Sequence, residues 1–352
     1  MLRDKRITIP NTGTAAGALA LLITGMLSLA VPAGGADLAC PRMTPPVRSL
    51  SVTGAQPLRR GKSWRAGKPQ TVFSTLCDER GMKTEESEYS HDSLVRKERF
   101  VWKSIAEARR ICAARKSEAK LATSFSEENR GPLDEFCREN KKKDFDAVFV
   151  FDMAPGSDPD KPVRRIFRLF NGSGLTAEEH EFGELADLET RTVYEYGPGN
   201  ALLSRTDHAP DGSQLRKEVY SSDKASGYRS VSFFDANNQL KRRTSSGYGP
   251  DGTLLKETDS SYETGEREIG RTETSYSAKG DGGRELVYRG DLARPLEEYR
   301  FRRKLDGYGN WTEEIRTKAA IYEGKRITDP GTAPRITRRE IGYFPAPSGQ
   351  SR

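Results

Sequence analysis

The sequence lacks the residue patterns of the common catalytic and metal-binding sites. It has only three histidines, His91, His180 and His208, and it contains no GxSxG nucleophile elbow, no HExxH motif and no phosphate-binding glycine loop. His180 stands among glutamates in EEHEFGE, but no second histidine lies at a metal-ligand spacing. We therefore expect no enzyme, no metal site and no cofactor. A glycosidase is the enzymatic alternative, because its two carboxylates can lie far apart in a sequence.

Long apolar runs are also scarce, and the single one lies near the N-terminus. A basic start, MLRDKR, precedes the apolar residues 15–31 and a run of small residues that ends at Ala36. This order is typical of a secretory signal peptide, so we predict a signal peptide over residues 1–36 and no membrane span in the mature chain. Two alternatives stay open, an uncleaved membrane anchor and a lipoprotein signal ending at Cys40. The expected location is the periplasm, the cell surface or the medium.

Cysteine is sparse, and none of the four cysteines forms the close-spaced pair of a zinc site or a redox CxxC motif. An even number of cysteines in an exported protein indicates two disulfides. Cys112 and Cys137 lie on two predicted helices joined by a short loop, so we expect them to pair. That leaves Cys40 to pair with Cys77. Free, buried thiols are the alternative.

The first part of the mature chain divides by composition into two segments. Residues 37–70 are rich in proline, glycine and basic residues, which predicts an extended linker arm. The arm is either simply solvated or attracted to anionic lipid or polysaccharide by its charge. Residues 71–162 predict a small α/β region that carries cysteines. Its elements are a hairpin over 71–90, a long helix within 93–122, a short helix over 132–140 and a buried strand over 144–153.

Residues 163–345 are a series of short strands separated by turns of one form. An aromatic or apolar residue precedes a small residue, the turn ends in glycine or asparagine, and an apolar residue follows. Glycine and asparagine tolerate the positive φ angles that such reversals need. The motif residues are Tyr196, Gly199, Asn200, Asp211, Gly212, Phe234, Asn238, Tyr248, Gly252, Gly309, Asn310 and Trp311. We expect Trp311 to cover the edge of the sheet or, alternatively, to stack on a sugar ring. Residues 346–352 are predicted to be a disordered tail.

YGPDGTLLKE, FDANNQL and LDGYGNWTEEI resemble the tyrosine–aspartate (YD) repeats of the RHS family. The resemblance covers about residues 165–317 and implies a β-hairpin repeat architecture. Leu305 stands where the family has tyrosine, and several copies carry glycine in place of aspartate. The copies are too few to enclose a cargo, so the resemblance does not imply toxin delivery.

These patterns together predict a mainly β protein with a small α/β N-terminal region. One long and one short helix precede an antiparallel β-hairpin repeat sheet. An open sheet has exposed edges and a broad face that suit another protein. We therefore expect a non-enzymatic exported envelope protein that acts as a scaffold or binding module for a protein partner. The alternatives are binding of an anionic glycan such as peptidoglycan or lipopolysaccharide, and hydrolysis of an envelope polymer. The signal peptide argues against a nucleic-acid partner.

Overall fold

The structure is a computed structural model that describes residues 38–345, apart from 42, 44, 61–62, 122–130, 154–156, 159, 224, 265 and 291–292. For residues 115–121 it describes the backbone alone. The predicted signal peptide and the predicted C-terminal tail lie outside the described residues.

The described residues form nineteen β-strands and two α-helices. The chain begins with β1 (Val47–Arg60), β2 (Ser63–Cys77), β3 (Lys83–Ser90) and β4 (Ser93–Lys103), followed by the helices α1 (Ile105–Leu121) and α2 (Pro132–Glu139). The next strands are β5 (Phe145–Asp152), β6 (Arg164–Phe170), β7 (Thr176–Phe182), β8 (Leu188–Tyr196), β9 (Leu202–His208), β10 (Gln214–Asp223), β11 (Tyr228–Phe234) and β12 (Leu240–Tyr248). The last are β13 (Leu254–Tyr262), β14 (Glu268–Tyr276), β15 (Gly282–Arg289), β16 (Glu297–Leu305), β17 (Trp311–Tyr322), β18 (Lys325–Ile327) and β19 (Arg335–Tyr343). No described helix is both long and apolar enough to cross a membrane.

The strand pairing closes the sheet into a barrel. Each strand from β1 to β17 pairs antiparallel with the next strand along the chain. β17 pairs with β18 and also with β19, and β19 pairs back onto β1 from Val47↔Tyr343 to Ala55↔Ile336. The barrel therefore contains eighteen strands, which are the nineteen strands of the sheet without the short β18.

The prediction of an open hairpin-repeat sheet is therefore wrong, although a mainly β chain with two helices is what the structure has. Hairpin patterns indicate which neighbouring strands pair, but they carry no information on whether the first and last strands meet. The closing strand β1, together with β2, comes from the segment that we expected to be a linker arm. The pairing also continues through the expected boundary at residue 163, since β5 and β6 pair across it.

The first helix begins later than expected, because a strand occupies the start of the predicted helical segment. β4 alternates between the two sides of the wall and ends at Lys103, and α1 begins at Ile105. Ser104 and Glu107 form a reciprocal capping box there, since Glu107 Oε2 accepts from Ser104 N (2.8 Å) and Ser104 Oγ accepts from Glu107 N (3.4 Å). The short helix predicted over 132–140 is present as α2, with Pro132 in its first turn.

The barrel wall has two faces, because side chains alternate along a strand and paired residues share a face. On the helix face, α1 and α2 cover buried residues of β5–β7: Phe145, Ala147, Phe167, Leu169 and Phe182. We call the opposite side the ladder face. It carries Phe100, Val148 and Val150, which pack against Leu38, and Leu50 and Val52, which pack near the Cys40–Cys77 pair. The register carries the ladder face on from Val52 to Arg339 of β19.

Candidate functional site: the arginine seam

The two predicted disulfides are present. Cys40 bonds to Cys77 and ties the segment before β1 to the end of β2. Cys112 bonds to Cys137 and ties α1 to α2 beside the buried phenylalanines of the helix face. None of the four cysteines is free, so none is available as a nucleophile or metal ligand.

The predicted repeat-turn residues lie at hairpin turns and do not converge on one site. Gly199, Asn200, Gly212, Asn238, Gly252 and Gly309 have φ angles between 57° and 85°. Tyr196, Phe234 and Tyr248 end strands immediately before such turns, and Asp211 accepts a hydrogen bond from Ser213 N at 2.9 Å. Successive turns of an up-and-down barrel lie at opposite ends. The repeats therefore build the wall and form no single pocket.

His180 lies on the helix face, where it contacts a carboxylate and an aromatic ring. Its Nε2 lies 3.0 Å from Glu178 Oε2, which also accepts from Arg191 Nε at 3.0 Å. The hydrogen bond with His180 is the main cause that lowers the pKa of Glu178 to about 2. The His180 ring packs on Phe136 of α2 at 4.9 Å between centroids. Within the described residues, no three histidine, cysteine or acidic side chains are grouped as metal ligands.

The turn in LDGYGNWT fastens the last strand at the point where the barrel closes. Asp306 accepts hydrogen bonds from the backbone N–H groups of Tyr308 (2.9 Å) and Asn310 (3.0 Å) and from the Tyr343 hydroxyl. Asn310 Nδ2 donates to the same hydroxyl at 2.9 Å, and the rings of Tyr308 and Tyr343 meet edge to face at 4.9 Å. Sequence analysis identified Asn310 as a turn residue and missed Tyr343, its partner 33 residues away.

Beside this turn, arginines and an indole line the ladder face of the closing strands. We call the group formed by Arg303, Trp311, Arg316, Arg335 and Arg339 the arginine seam. The register pairs Phe301 with Arg316 and Arg316 with Arg335, so these side chains share one face. A register shift after Lys304 pairs Leu305 with Trp311 and turns the indole to the same face. Arg303 and Arg339 both contact the Trp311 ring, with guanidinium carbons 5.6 Å and 3.5 Å from its centroid.

Two of the four seam arginines have carboxylate partners. Arg303 Nε lies 2.9 Å from Glu314 Oε2, and Arg316 Nη2 lies 2.7 Å from Glu285 Oε2. The side chains of both pairs are 12% exposed or less. Rings surround the cations, since Arg303 also approaches Phe301 at 4.7 Å. These pairs are neutral overall and stabilise each other inside the wall.

The other two seam arginines form no ion pair with a described carboxylate. Within the part of the chain that the structure describes, neither Arg335 nor Arg339 makes an ion pair, and Arg339 Nε has no hydrogen-bond acceptor. Burial lowers the pKa of Arg339 to about 10, with Arg303 adding to the effect. Burial and Arg316 also lower the pKa of Arg335. Arg335 and Arg339 are partly buried. Burial of a cation without an ion-pair partner is costly, so the seam is electrostatically suited to an anion.

The structure also corrects the expectation for Trp311. Arg339 covers a face of the indole at 3.5 Å, so Trp311 is not an open platform for a sugar ring. Trp311 does not simply cover a sheet edge either, because β17 is paired on both sides. It acts as the surface on which Arg339 is stacked. The alternation Arg335–Thr337–Arg339 in RITRREIGY was the sequence signal for this group.

Comparisons with known proteins add little. No protein-family model matches the sequence, and no curated protein matches it. A porin-like protein from Bacteroides uniformis aligns at 9% identity over 86% of this chain and 98% of its own, with a TM-score of 0.38. A porin-like protein from Bacteroides vulgatus aligns at 13% identity over 85% and 99%, with a TM-score of 0.18. The TcdB2-TccC3-TEV structure aligns at 8% identity over 78% of this chain and 21% of its own, with a TM-score of 0.12. Likenesses of this size carry no argument, so the fold rests on the strand pairing above.

Proposed function

We propose that this protein is a non-enzymatic, exported envelope protein that binds an anionic glycan at the arginine seam. The observation that carries the proposal is the pair of seam arginines, Arg335 and Arg339, which make no ion pair within the described residues and lie beside the cations Arg303 and Arg316. The expected protein-scaffold function depended on the edges of an open sheet. Closure through β19 and β1 removes those edges, so the glycan alternative is now the better supported one.

The stacked geometry of Arg339 explains which chemical group the seam suits. The Arg339 guanidinium carbon lies 3.5 Å from the centroid of the Trp311 ring, a contact that leaves N–H groups at the edge of the guanidinium for acceptors. That edge matches a carboxylate or phosphate, which can accept two parallel hydrogen bonds from it. Uronic acids and phosphorylated sugars carry these groups.

The distribution of charge indicates that the barrel stands in water. Successive residues point to opposite faces, and several strands carry adjacent charged residues, for example Arg242 and Arg243, Arg302 and Arg303, and Arg338 and Arg339. Neither face therefore offers an uninterrupted apolar band. An arginine or lysine facing lipid at the bilayer midplane costs about 2–4 kcal/mol. This supports a location in the periplasm or on the cell surface, in contact with water.

Calorimetric titration of the purified protein with D-glucuronate and D-glucose tests the proposal. The two sugars differ by the carboxylate, so we expect glucuronate to bind and glucose not to bind. Arg339→Gln should weaken glucuronate binding about 10–100-fold, the value of a charged hydrogen bond. Glucose 6-phosphate distinguishes a phosphate-bearing glycan from a uronic acid.

Arg338→Gln is the matched control, because it removes the same charge from the next residue of β19 on the opposite face. Arg338 pairs with Glu313 at 2.8 Å, and Lys304 remains beside that carboxylate at 2.6 Å. We expect the control to bind like the wild type. Equal weakening by both variants would assign binding to general charge. If neither glucuronate nor glucose 6-phosphate binds, the proposed function is wrong. If Arg339→Gln does not fold, Arg335→Gln tests the same seam.

A further inference from the structure

At the seam, β1 and β2 continue past the barrel wall as a two-stranded hairpin. β19 accompanies β1 only as far as Ala55↔Ile336, and β3 accompanies β2 only from Phe73 onward. From Pro57↔Ala66 to Arg60↔Ser63, the two strands pair with each other and with no other described strand. At about 3.3 Å per residue, β1 extends about 16 Å beyond Ala55. We call residues 56–60 and 63–70 the basic hairpin.

The basic hairpin carries an excess of positive charge. Residues 41–77 contain no aspartate or glutamate. Arg59, Arg60, Arg65 and Lys68 are all exposed. Asp92 of the β3–β4 turn lies 3.8 Å from Lys68 Nζ, but the lysine side chain is 87% exposed, so this ion pair is weak.

Apolar side chains accompany these cations. Leu58 is 53% exposed, and Trp64 lies on the other strand with the Arg59 guanidinium 5.9 Å from its ring centroid. The β17–β18 hairpin ends at the same end of the barrel and exposes Tyr322 (65%) and Ile327 (51%) beside Lys325. A soluble polyanion would account for the cations but would leave the leucine and isoleucine in water.

We propose that the basic hairpin docks the barrel on an anionic lipid surface. Tryptophan and tyrosine prefer the headgroup region, and arginine and lysine are attracted to anionic headgroups. An isolated two-stranded hairpin is marginally stable in water. Leu58 shares one face of the hairpin with Arg65, and Trp64 shares the other face with Arg59. The hairpin therefore enters the surface tip first, which places Leu58 and Trp64 in the apolar boundary and the arginines among phosphates. This inference is independent of glycan binding at the arginine seam.

Co-sedimentation with lipid vesicles tests this inference. The vesicles contain phosphatidylcholine alone or phosphatidylcholine with one quarter phosphatidylglycerol. We expect the wild type to bind the anionic vesicles and to be released by salt. Each basic residue near such a surface contributes about a fivefold change in partitioning. The triple variant Arg59→Gln, Arg60→Gln and Arg65→Gln should therefore bind the anionic vesicles about a hundredfold more weakly.

The matched control removes three exposed cations from another part of the barrel, by Arg243→Gln, Lys256→Gln and Lys279→Gln. It has the same net charge as the hairpin variant and should keep most of the binding. The wild type and all variants carry the same N-terminus, so any contribution of residues 1–36 to vesicle binding is common to them. Leu58→Ser with Trp64→Ala should weaken binding while keeping the charge.

Three results would overturn the inference. In the first, the wild type does not sediment with anionic vesicles. In the second, the hairpin variant binds them as tightly as the control variant does. In the third, the charge substitutions weaken binding but Leu58→Ser with Trp64→Ala does not. A wild type that ignores vesicles but binds polygalacturonate through the hairpin would assign it to a glycan instead. Circular dichroism establishes that each variant is folded.

Discussion

Two regions of the barrel wall are held together by different interactions. Under the helices, β5–β7 carry a cluster of apolar side chains in which Phe167 and Ala147 are fully buried. From β9 to β18, no described residue belongs to an apolar core cluster. Buried side chains there include Glu285, Glu298, Glu314 and Arg316.

The difference shows what closure allows. In a closed wall every strand has two hydrogen-bonded neighbours, so the backbone is satisfied without a covering layer. Side chains of the polar region then need only satisfy one another, and they do so as stacked rings and ion pairs. Arg242 and Asp259, for example, form two hydrogen bonds of 2.7 Å. The apolar region fixes the fold, and the polar region is free to carry charged side chains.

The largest expected effect comes from breaking the apolar region. The Phe167 ring lies between Phe136 (5.0 Å) and Phe182 (5.8 Å). We expect Phe167→Ala to lower the free energy of unfolding by about 3–5 kcal/mol, because the cavity cannot be filled by polar groups. Urea unfolding followed by circular dichroism measures the change. Phe301 is 3% exposed and lies between guanidinium groups. The matched variant Phe301→Ala should lower the free energy of unfolding by about half as much as Phe167→Ala does. Equal costs would contradict the distinction between the two regions.

In the polar region, the largest effect should come from a buried charge. Arg316 is the hydrogen-bonded partner of Glu285, and its side chain is 6% exposed. Arg316→Gln leaves that carboxylate without its cation, so we expect a loss of about 3 kcal/mol in the free energy of unfolding. Lys318→Gln, two residues further along β17 and 44% exposed, should lower the free energy of unfolding by less than about 1 kcal/mol. The same urea titrations give both values, and similar losses would show that burial is not what matters.

The sequence predicted the local part of this architecture well. The helix α2 and the turns with positive φ depend on residues close in the chain, and the disulfides followed from the even number of cysteines and the two helices that carry Cys112 and Cys137. Closure depends on β1 meeting β19, which lies almost a chain length away. In β1 the buried residues Val47, Leu50, Val52 and Ala55 lie three, two and three positions apart, so the strand shows no strict alternation from which it could be predicted. The seam was missed for the same reason, since Arg316 and Arg335 become neighbours only through the β17–β19 register.

A pH dependence can sharpen the description of the polar region. Burial, followed by the nearby Asp259, raises the pKa of Glu257 to about 7 from its usual 4.5. Between pH 4.5 and 7 the folded protein holds a proton that the unfolded chain has lost, so this group makes stability fall as pH rises. Glu257→Gln removes this dependence. Relative to the wild type, the variant should gain about 1–3 kcal/mol between pH 4.5 and pH 8. A constant difference in urea unfolding across that range would show that Glu257 titrates normally.

The smallest effect should come from the hydroxyl that ties the last strand to the LDGYGN turn. Tyr343→Phe removes one O–H donor to Asp306 and one acceptor for Asn310, while the ring can stay on Tyr308. We expect a loss of about 1–2 kcal/mol in the free energy of unfolding, because one hydrogen bond is to a carboxylate. Tyr322→Phe removes a hydroxyl from a 65% exposed ring and should change the free energy of unfolding by less than about 0.5 kcal/mol.

Hydrogen exchange shows which strands lose stability in Tyr343→Phe. If the turn holds the seam closed, exchange in Tyr343→Phe should rise in the β1–β19 pairing and stay unchanged under the helices. Uniform acceleration would mean that the hydroxyl stabilises the whole barrel and has no special role at its closure.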